Sequence, residues 1–193
     1  MIKEAFFPTF IYGKDLQLDN KYFEKEIVEW SKQNPGVKKT NVNGWHSETH
    51  MHQMPQFKPL VDELLTMQKE IFKEEWLDRF PKLGNMWANI NYKGGYNKPH
   101  VHPNATFSGV YYIKAKPNCG KLVCNDPRPG VQTHMPIRVK GQPPKHLWRE
   151  VHLEPRENRV IMFPAWLWHC VEPNESDDIR ISVSFNFIQD GFQ

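Results

Sequence analysis

Cysteine is scarce in this chain of 193 residues: Cys119, Cys124 and Cys170 are the only three, and none falls in a C-x-x-C spacing. An odd count without that spacing excludes a disulfide framework and a cysteine-based structural zinc site. It fits thiols acting as small hydrophobes in a reducing cytoplasm. Long apolar runs are lacking as well. None approaches the ~18 residues of a membrane span, and the opening MIKEAFFPTFIYGK has no continuous apolar stretch of the signal-peptide kind, so neither export nor a membrane anchor is expected. Nor does one sign of charge dominate. Lys and Arg number 25 against 22 Asp and Glu, a net charge of +3, and the basic residues are spread along the chain, so no nucleic-acid partner is expected. Internal repeats and low-complexity linkers are also missing, which with the length favours a single domain over 1–193.

What is present is an aromatic-rich chain, with 7 Trp, 12 Phe and 6 Tyr, enough for a lined cavity as well as a core. Two stretches carry helical periodicity. In LDNKYFEKEIVEWSKQNPG, Asp19 or Asn20 can cap, Phe23, Ile27 and Trp30 share a face, and Asn34-Pro35-Gly36 ends the run. In FKPLVDELLTMQKEIFKEEWLDRFPK, Pro59 suits a first turn. Leu60, Leu64, Met67 and Ile71 form a stripe there, broadened by Val61, Leu65, Phe72 and Trp76, and this face could serve a core or a homodimer. After Gly84 the texture changes to short β-type runs punctuated by Gly, Pro, Asn and Asp: NMWANINY, TFSGVYYIKA, GKLVCND, MPIRV, HLWREVHL, NRVIMF, LWHCVEP and IRISVSFNFI. Eight strands after two helices predict a mainly β fold with flanking helices, a jelly roll or cupin-like barrel. Residues 1–83 are expected to form helical support and 84–193 the core.

Nine histidines invite a search for a metal site. On a strand an H-x-H pair projects both imidazoles to one face, a chelating arrangement. His50-Met-His52 lies in a polar stretch without strand pattern and reads as a loop. His100-Val-His102 follows a strand and the turn KGGYNKP, at the mouth of the expected barrel, and His169 in FPAWLWHCVEP supplies a third ligand from a later strand. Beyond it Arg180, Ser182, Ser184 and Asn186 alternate with Ile181, Val183, Phe185 and Phe187. This strand therefore has a polar face, headed by an arginine whose planar fork can grip a carboxylate. Two H-x-E pairs are set aside on spacing: His46-Ser-Glu48 precedes the strand region, and His152-Leu-Glu154 lies too close to His169.

From NMWANINYKGGYNKPHVHPNATFSGVYYIKA through GKLVCNDPR to NRVIMFPAWLWHCVEPNESDDIRISVSFNF, the chain resembles the Fe(II)/2-oxoglutarate-dependent oxygenases. The likeness points to a group with prolyl-hydroxylase-like cores common in bacteriophage and marine bacterial genomes, and its fold would be a double-stranded β-helix. The resemblance implies that His169 is the distal iron ligand, that Arg180 pairs with the C5 carboxylate of 2-oxoglutarate with Ser182 completing an R-x-S pattern, and that Tyr92 and Tyr112 stand beside that carboxylate. It makes His100 the first residue of the H-x-D/E motif and places His102 where the family has a carboxylate. Asn104 or Asp126 could instead complete the metal shell.

The activity implied is a cytoplasmic Fe(II)- and 2-oxoglutarate-dependent hydroxylase. It would consume dioxygen, release succinate and carbon dioxide, and act on a peptide or protein side chain or on a small metabolite. Trp87, Tyr111, Phe163, Trp166 and Trp168 are candidates to line the cavity. A three-histidine cupin-type dioxygenase would explain the missing carboxylate but leave Arg180 idle, and a non-catalytic jelly-roll binding module would leave the three histidines idle.

Overall fold

The computed structural model describes residues 1–79, 81–130, 133 and 136–189. Nine strands join in one antiparallel sheet: β1 (Tyr12–Asp15), β2 (Asn41–His46), β3 (Lys82–His100), β4 (Phe107–Lys114), β5 (Leu122–Asn125), β6 (Glu150–Leu153), β7 (Arg159–Pro164), β8 (His169–Val171) and β9 (Arg180–Ile188). Their order is β1-β7-β4-β9-β3-β8-β5-β6, with β2 also on β3. Neighbours far apart in sequence interleave, as a double-stranded β-helix requires, and the sheet curls around a cavity to which seven strands contribute.

Two helices cover its outer face. In α1 (Asn20–Gln33) the Asp19 carboxylate accepts the Tyr22 N–H at 3.0 Å, and the helix stops where Asn34 turns extended ahead of Pro35. In α2 (Lys58–Glu74) Pro59 sits in the first turn, and Leu60, Leu64, Met67 and Ile71 are buried on one face. That stripe packs on the sheet of its own chain, so it is not left over for a second copy. The helix ends before Trp76, which has φ +53° and is 94 % exposed; contrary to expectation it does not broaden the stripe. Among the described residues no helix is long and apolar enough to cross a membrane.

Period two divides the sheet into two faces. Met86, Ala88 and Ile90 of β3, Tyr111 and Ile113 of β4, Val160 and Met162 of β7, and Ile181, Val183, Phe185 and Phe187 of β9 face the helices and form the main core. Residues of the opposite parity face the cavity, where Tyr112, Leu122, Ile161, Phe163 and Leu167 form a smaller apolar cluster.

Three expectations need correction. MPIRV is not a strand: Met135 lies outside the described residues, and 136–139 are exposed with no strand pairing. Residues 1–83 are more than helical support, because β1 pairs with β7 and β2 with β3. Both strands lack apolar alternation, YGKD being an edge and NVNGWH carrying a register shift between Val42 and Gly44, which is why their pattern is silent. His46-Ser-Glu48 therefore does not precede the strand region, since His46 ends β2 opposite Asn89.

Candidate functional site

At the end of the sheet where β3 meets β8, His100 pairs with His169. Chain reversal after β3 brings His102 back alongside, its N–H donating to the Ala165 carbonyl at 3.0 Å. One nitrogen of each of the three imidazoles lies within 4.8 Å of the others, and His102 Nε2 faces His169 Nε2 at 3.2 Å. His100 Nδ1 donates to the Lys98 carbonyl at 2.7 Å and His169 Nδ1 to the Leu167 carbonyl at 2.8 Å, which fixes both tautomers and leaves the Nε2 lone pairs for a ligand. Burial lowers the pKa of all three, His102 to about 3 and His169 to about 4, with neighbouring imidazoles adding to the effect at His102 and His169. Three neutral imidazoles converging in a partly buried site form a donor set that suits a divalent transition metal. No Asp or Glu joins this cluster among the described residues.

The cavity beside them measures about 420 Å³. Arg180, Ser182, Ser184 and Asn186 line it from β9, Asn85, Trp87 and Asn89 from β3, and Tyr112 and Phe163 from β4 and β7. Arg180 is only 1 % exposed. Its Nη1 donates to the carbonyls of Cys119 at 2.5 Å and Gly120 at 3.0 Å, whereas its buried Nη2 has no partner. A buried, unpaired guanidinium N–H in a polar cavity is costly unless a ligand takes it, and a carboxylate is the group whose geometry suits it. Gly120 adopts φ +87°, and a Cβ there would lie 2.8 Å from Arg180 Nη1, so the glycine is what lets the guanidinium lie against this turn. Burial raises the Tyr112 hydroxyl pKa while the nearby Arg180 pulls it down, keeping the phenol protonated as a donor.

Of the residues expected at the site, His100, His102, His169, Arg180, Ser182 and Tyr112 share this one cavity. Tyr92 does not join them. It has the parity of Ala88 and Ile90, which face the helices, and at the end of that row it is 45 % exposed. Asn104 is exposed in a turn with φ +62°, and the Asp126 carboxylate is held by Arg128, Nη2 to Oδ2 at 2.5 Å, so neither lines the cavity. Trp87 and Phe163 line it as expected. Tyr111 lies on the helix side between Asn20 and Asn158, and Trp166 and Trp168 stand half in solvent. His46 was passed over in the sequence yet lines the cavity, stacked on Trp87 at 5.4 Å and 10°, with Trp87 in turn 5.9 Å from the His102 ring. Asn85, Asn89 and Asn97 were missed too; the period-two spacing of Asn85, Trp87 and Asn89 was the available signal.

A search of curated proteins finds no match. Among solved structures the fold is similar to a prolyl-4-hydroxylase from Pseudomonas putida, with 13% identity over 95% of this chain and 94% of that one and a TM-score of 0.63. It is also similar to HygX from Streptomyces hygroscopicus, determined with nickel, 2-oxoglutarate and hygromycin B bound, with 9% identity over 96% and 85% and a TM-score of 0.61. An oxidoreductase of the 2OG-Fe(II) oxygenase family from Burkholderia pseudomallei matches 70% of this chain with 14% identity and a TM-score of 0.51, and this chain spans 57% of its length. At such identities the likenesses speak for the fold. The family model described as "Putative 2OG-Fe(II) oxygenase" matches residues 85–186, more than half of the chain and the whole of the histidine and arginine constellation. The protein belongs to this family of 2OG-Fe(II) oxygenases, and it is an enzyme of Fe(II) and 2-oxoglutarate chemistry.

Proposed function

We propose that His100, His102 and His169 hold Fe(II), that Arg180 Nη2 with Ser182 and Tyr112 holds the C5 carboxylate of 2-oxoglutarate, and that the enzyme hydroxylates a side chain of a peptide or protein. The unpartnered Arg180 Nη2, buried in the same cavity as the three imidazoles, is the observation that carries the metal and co-substrate reading. Bound iron would supply oxidising power from dioxygen as 2-oxoglutarate is converted to succinate and carbon dioxide.

The chain's own residues supply position and dryness. The carbonyls of Cys119 and Gly120 fix the guanidinium so that its free N–H meets the co-substrate without reorganisation. The Lys98 and Leu167 carbonyls keep His100 and His169 in their ligating tautomers. Phe163, 4.7 Å from the His169 ring, and Trp87 exclude water beside the histidines. Fe(II) and three free thiols both persist in a reducing compartment, which favours the cytoplasm.

Anaerobic titration with Fe(II) and then 2-oxoglutarate tests this. The expected outcome is the weak visible charge-transfer band of the chelate, with Arg180→Ala weakening 2-oxoglutarate binding by about 2–5 kcal/mol, a factor of roughly 30 or more. The all-imidazole donor set favours a second reading, a cupin-type dioxygenase without 2-oxoglutarate, and iron binding without the band would establish it.

A further inference from the structure

The balanced charge of the whole chain hides a one-sided segment. Between Asp126 and Glu150 there is no acidic residue, while Arg128, Arg138, Lys140, Lys145 and Arg149 are all basic. This segment is the β5–β6 connection, and it springs from the metal end of the sheet. Cys124 pairs directly with His169, the Asn125 N–H donates to the Trp168 carbonyl at 2.9 Å, and the Asp126 N–H donates to the Arg149 carbonyl at 2.6 Å. Arg128 is neutralised by Asp126, but Arg138, Lys140 and Lys145 are exposed and form no ion pair among the described residues.

Residues 137–140 read Ile-Arg-Val-Lys, with Ile137 and Val139 fully exposed and no hydrogen bond from any of the four to a described residue. A stretch of irregular backbone that alternates bare aliphatic and cationic side chains, with no partner among the described residues, leaves its cations and its peptide groups free for an incoming chain. The cavity continues the same charge. Lys39 stands exposed at its mouth, Arg180 lies within, and none of the described lining residues is Asp or Glu. Fe(II) with dianionic 2-oxoglutarate would leave this lining net positive, the more so because His102 brings no negative charge.

We propose that residues 136–149 of the β5–β6 connection are a docking arm for an extended acidic segment of a peptide substrate, its carboxylates met by Arg138, Lys140 and Lys145 and, at the cavity mouth, by Lys39. The inference deepens the reading of the enzyme as a peptide hydroxylase and rests on it for the identity of the segment as substrate. Aliphatic side chains set between the cations favour a peptide over a nucleic acid, whose bases stack on aromatic surfaces. The length of the arm likewise exceeds what a small anion would engage.

The test is fluorescence anisotropy on the full chain, held anaerobically with Fe(II) and 2-oxoglutarate, using a labelled peptide of alternating Glu and Val. A Lys and Val peptide and an oligothymidylate of the same length serve as comparisons, and the charge-transfer band is read in each sample. The expected result is salt-sensitive binding of the Glu and Val peptide, weakened about tenfold or more by the combined variant Arg138→Gln, Lys140→Gln, Lys145→Gln, with the band and the melting temperature unchanged. Equal binding of the Lys and Val peptide, tighter binding of the oligothymidylate, or no loss in the variant would overturn the docking arm. A missing band with peptide binding and its loss in the variant intact would instead overturn the metal-site reading and leave the arm standing.

Discussion

His102 stands where the family resemblance leads one to expect a carboxylate, and that single exchange sets the electrostatics of the centre. Three neutral imidazoles bring no charge to offset a divalent cation, and with Arg180 and Lys39 both lining the cavity the site is poised for anions. In the metal-free protein the same three rings are a liability in acid. His102 and His169 are held neutral by burial, their pKa values lowered from 6.5 to about 3 and about 4, so the unfolded chain takes up protons that the folded one refuses. Their contribution is complete above the unfolded value near 6.5 and drains away as pH falls toward the folded values. The expected slope is about 1.4 kcal/mol per pH unit for each histidine. Thermal unfolding of the metal-free protein should show the melting temperature dropping steadily from pH 7 to pH 4, and His102→Ala should flatten that slope; a flat profile in the wild type would show that the rings are solvated.

Among the elements, β9 does the most to join core and site. Its even positions from Arg180 to Asn186 face the cavity, and its odd positions from Ile181 to Phe187 are wholly buried against the helices. One strand therefore serves co-substrate binding and core packing through opposite faces, and damage to the two should separate. Phe185 also packs on Phe187, ring centres 5.9 Å apart. Phe185→Ala should cost about 3–5 kcal/mol in denaturant unfolding while leaving the iron and 2-oxoglutarate band of the folded fraction unchanged. Loss of the band at full stability would mean that the strand's two faces are not independent. On β3 the corresponding face presents Asn85, Trp87 and Asn89, and the Asn89 side chain donates to Ser184 Oγ at 3.1 Å, tying the two cavity-facing rows together.

For the whole molecule, the site joins strands from across the sheet, so ligands that bind it should brace the fold. Mn(II), a redox-stable stand-in for Fe(II), and 2-oxoglutarate at about a hundred times their dissociation constants should each add about 2.7 kcal/mol, or roughly 5–10 °C in melting temperature for a chain of this size. In Arg180→Ala the increment from 2-oxoglutarate should fall below about 1 kcal/mol and that from Mn(II) should remain. Equal increments in both proteins would place the co-substrate away from Arg180.

Periodicity alone located both helices, seven of the nine strands and the polar face of β9, because each of these buries one face and the buried face leaves its period in the sequence. Arg180 and Ser182 were legible for a similar local reason, R-x-S being a two-residue spacing on a strand, whereas His102 lies past the end of β3 and reaches His100 and His169 through the chain reversal, not through strand parity. Only the tertiary structure decided the rest. Strands β1 and β2 have no apolar alternation, since one is a short edge and the other a shifted pairing, and so they left no pattern. Tyr92 fell away and His46 came in because parity, register and the curl of the sheet determine which side chains reach the cavity, and these depend on pairings between strands as distant as β2 and β3. The cavity, the convergence of three imidazoles and the orphaned Arg180 N–H are properties of residues brought together across the sheet, which no local spacing encodes.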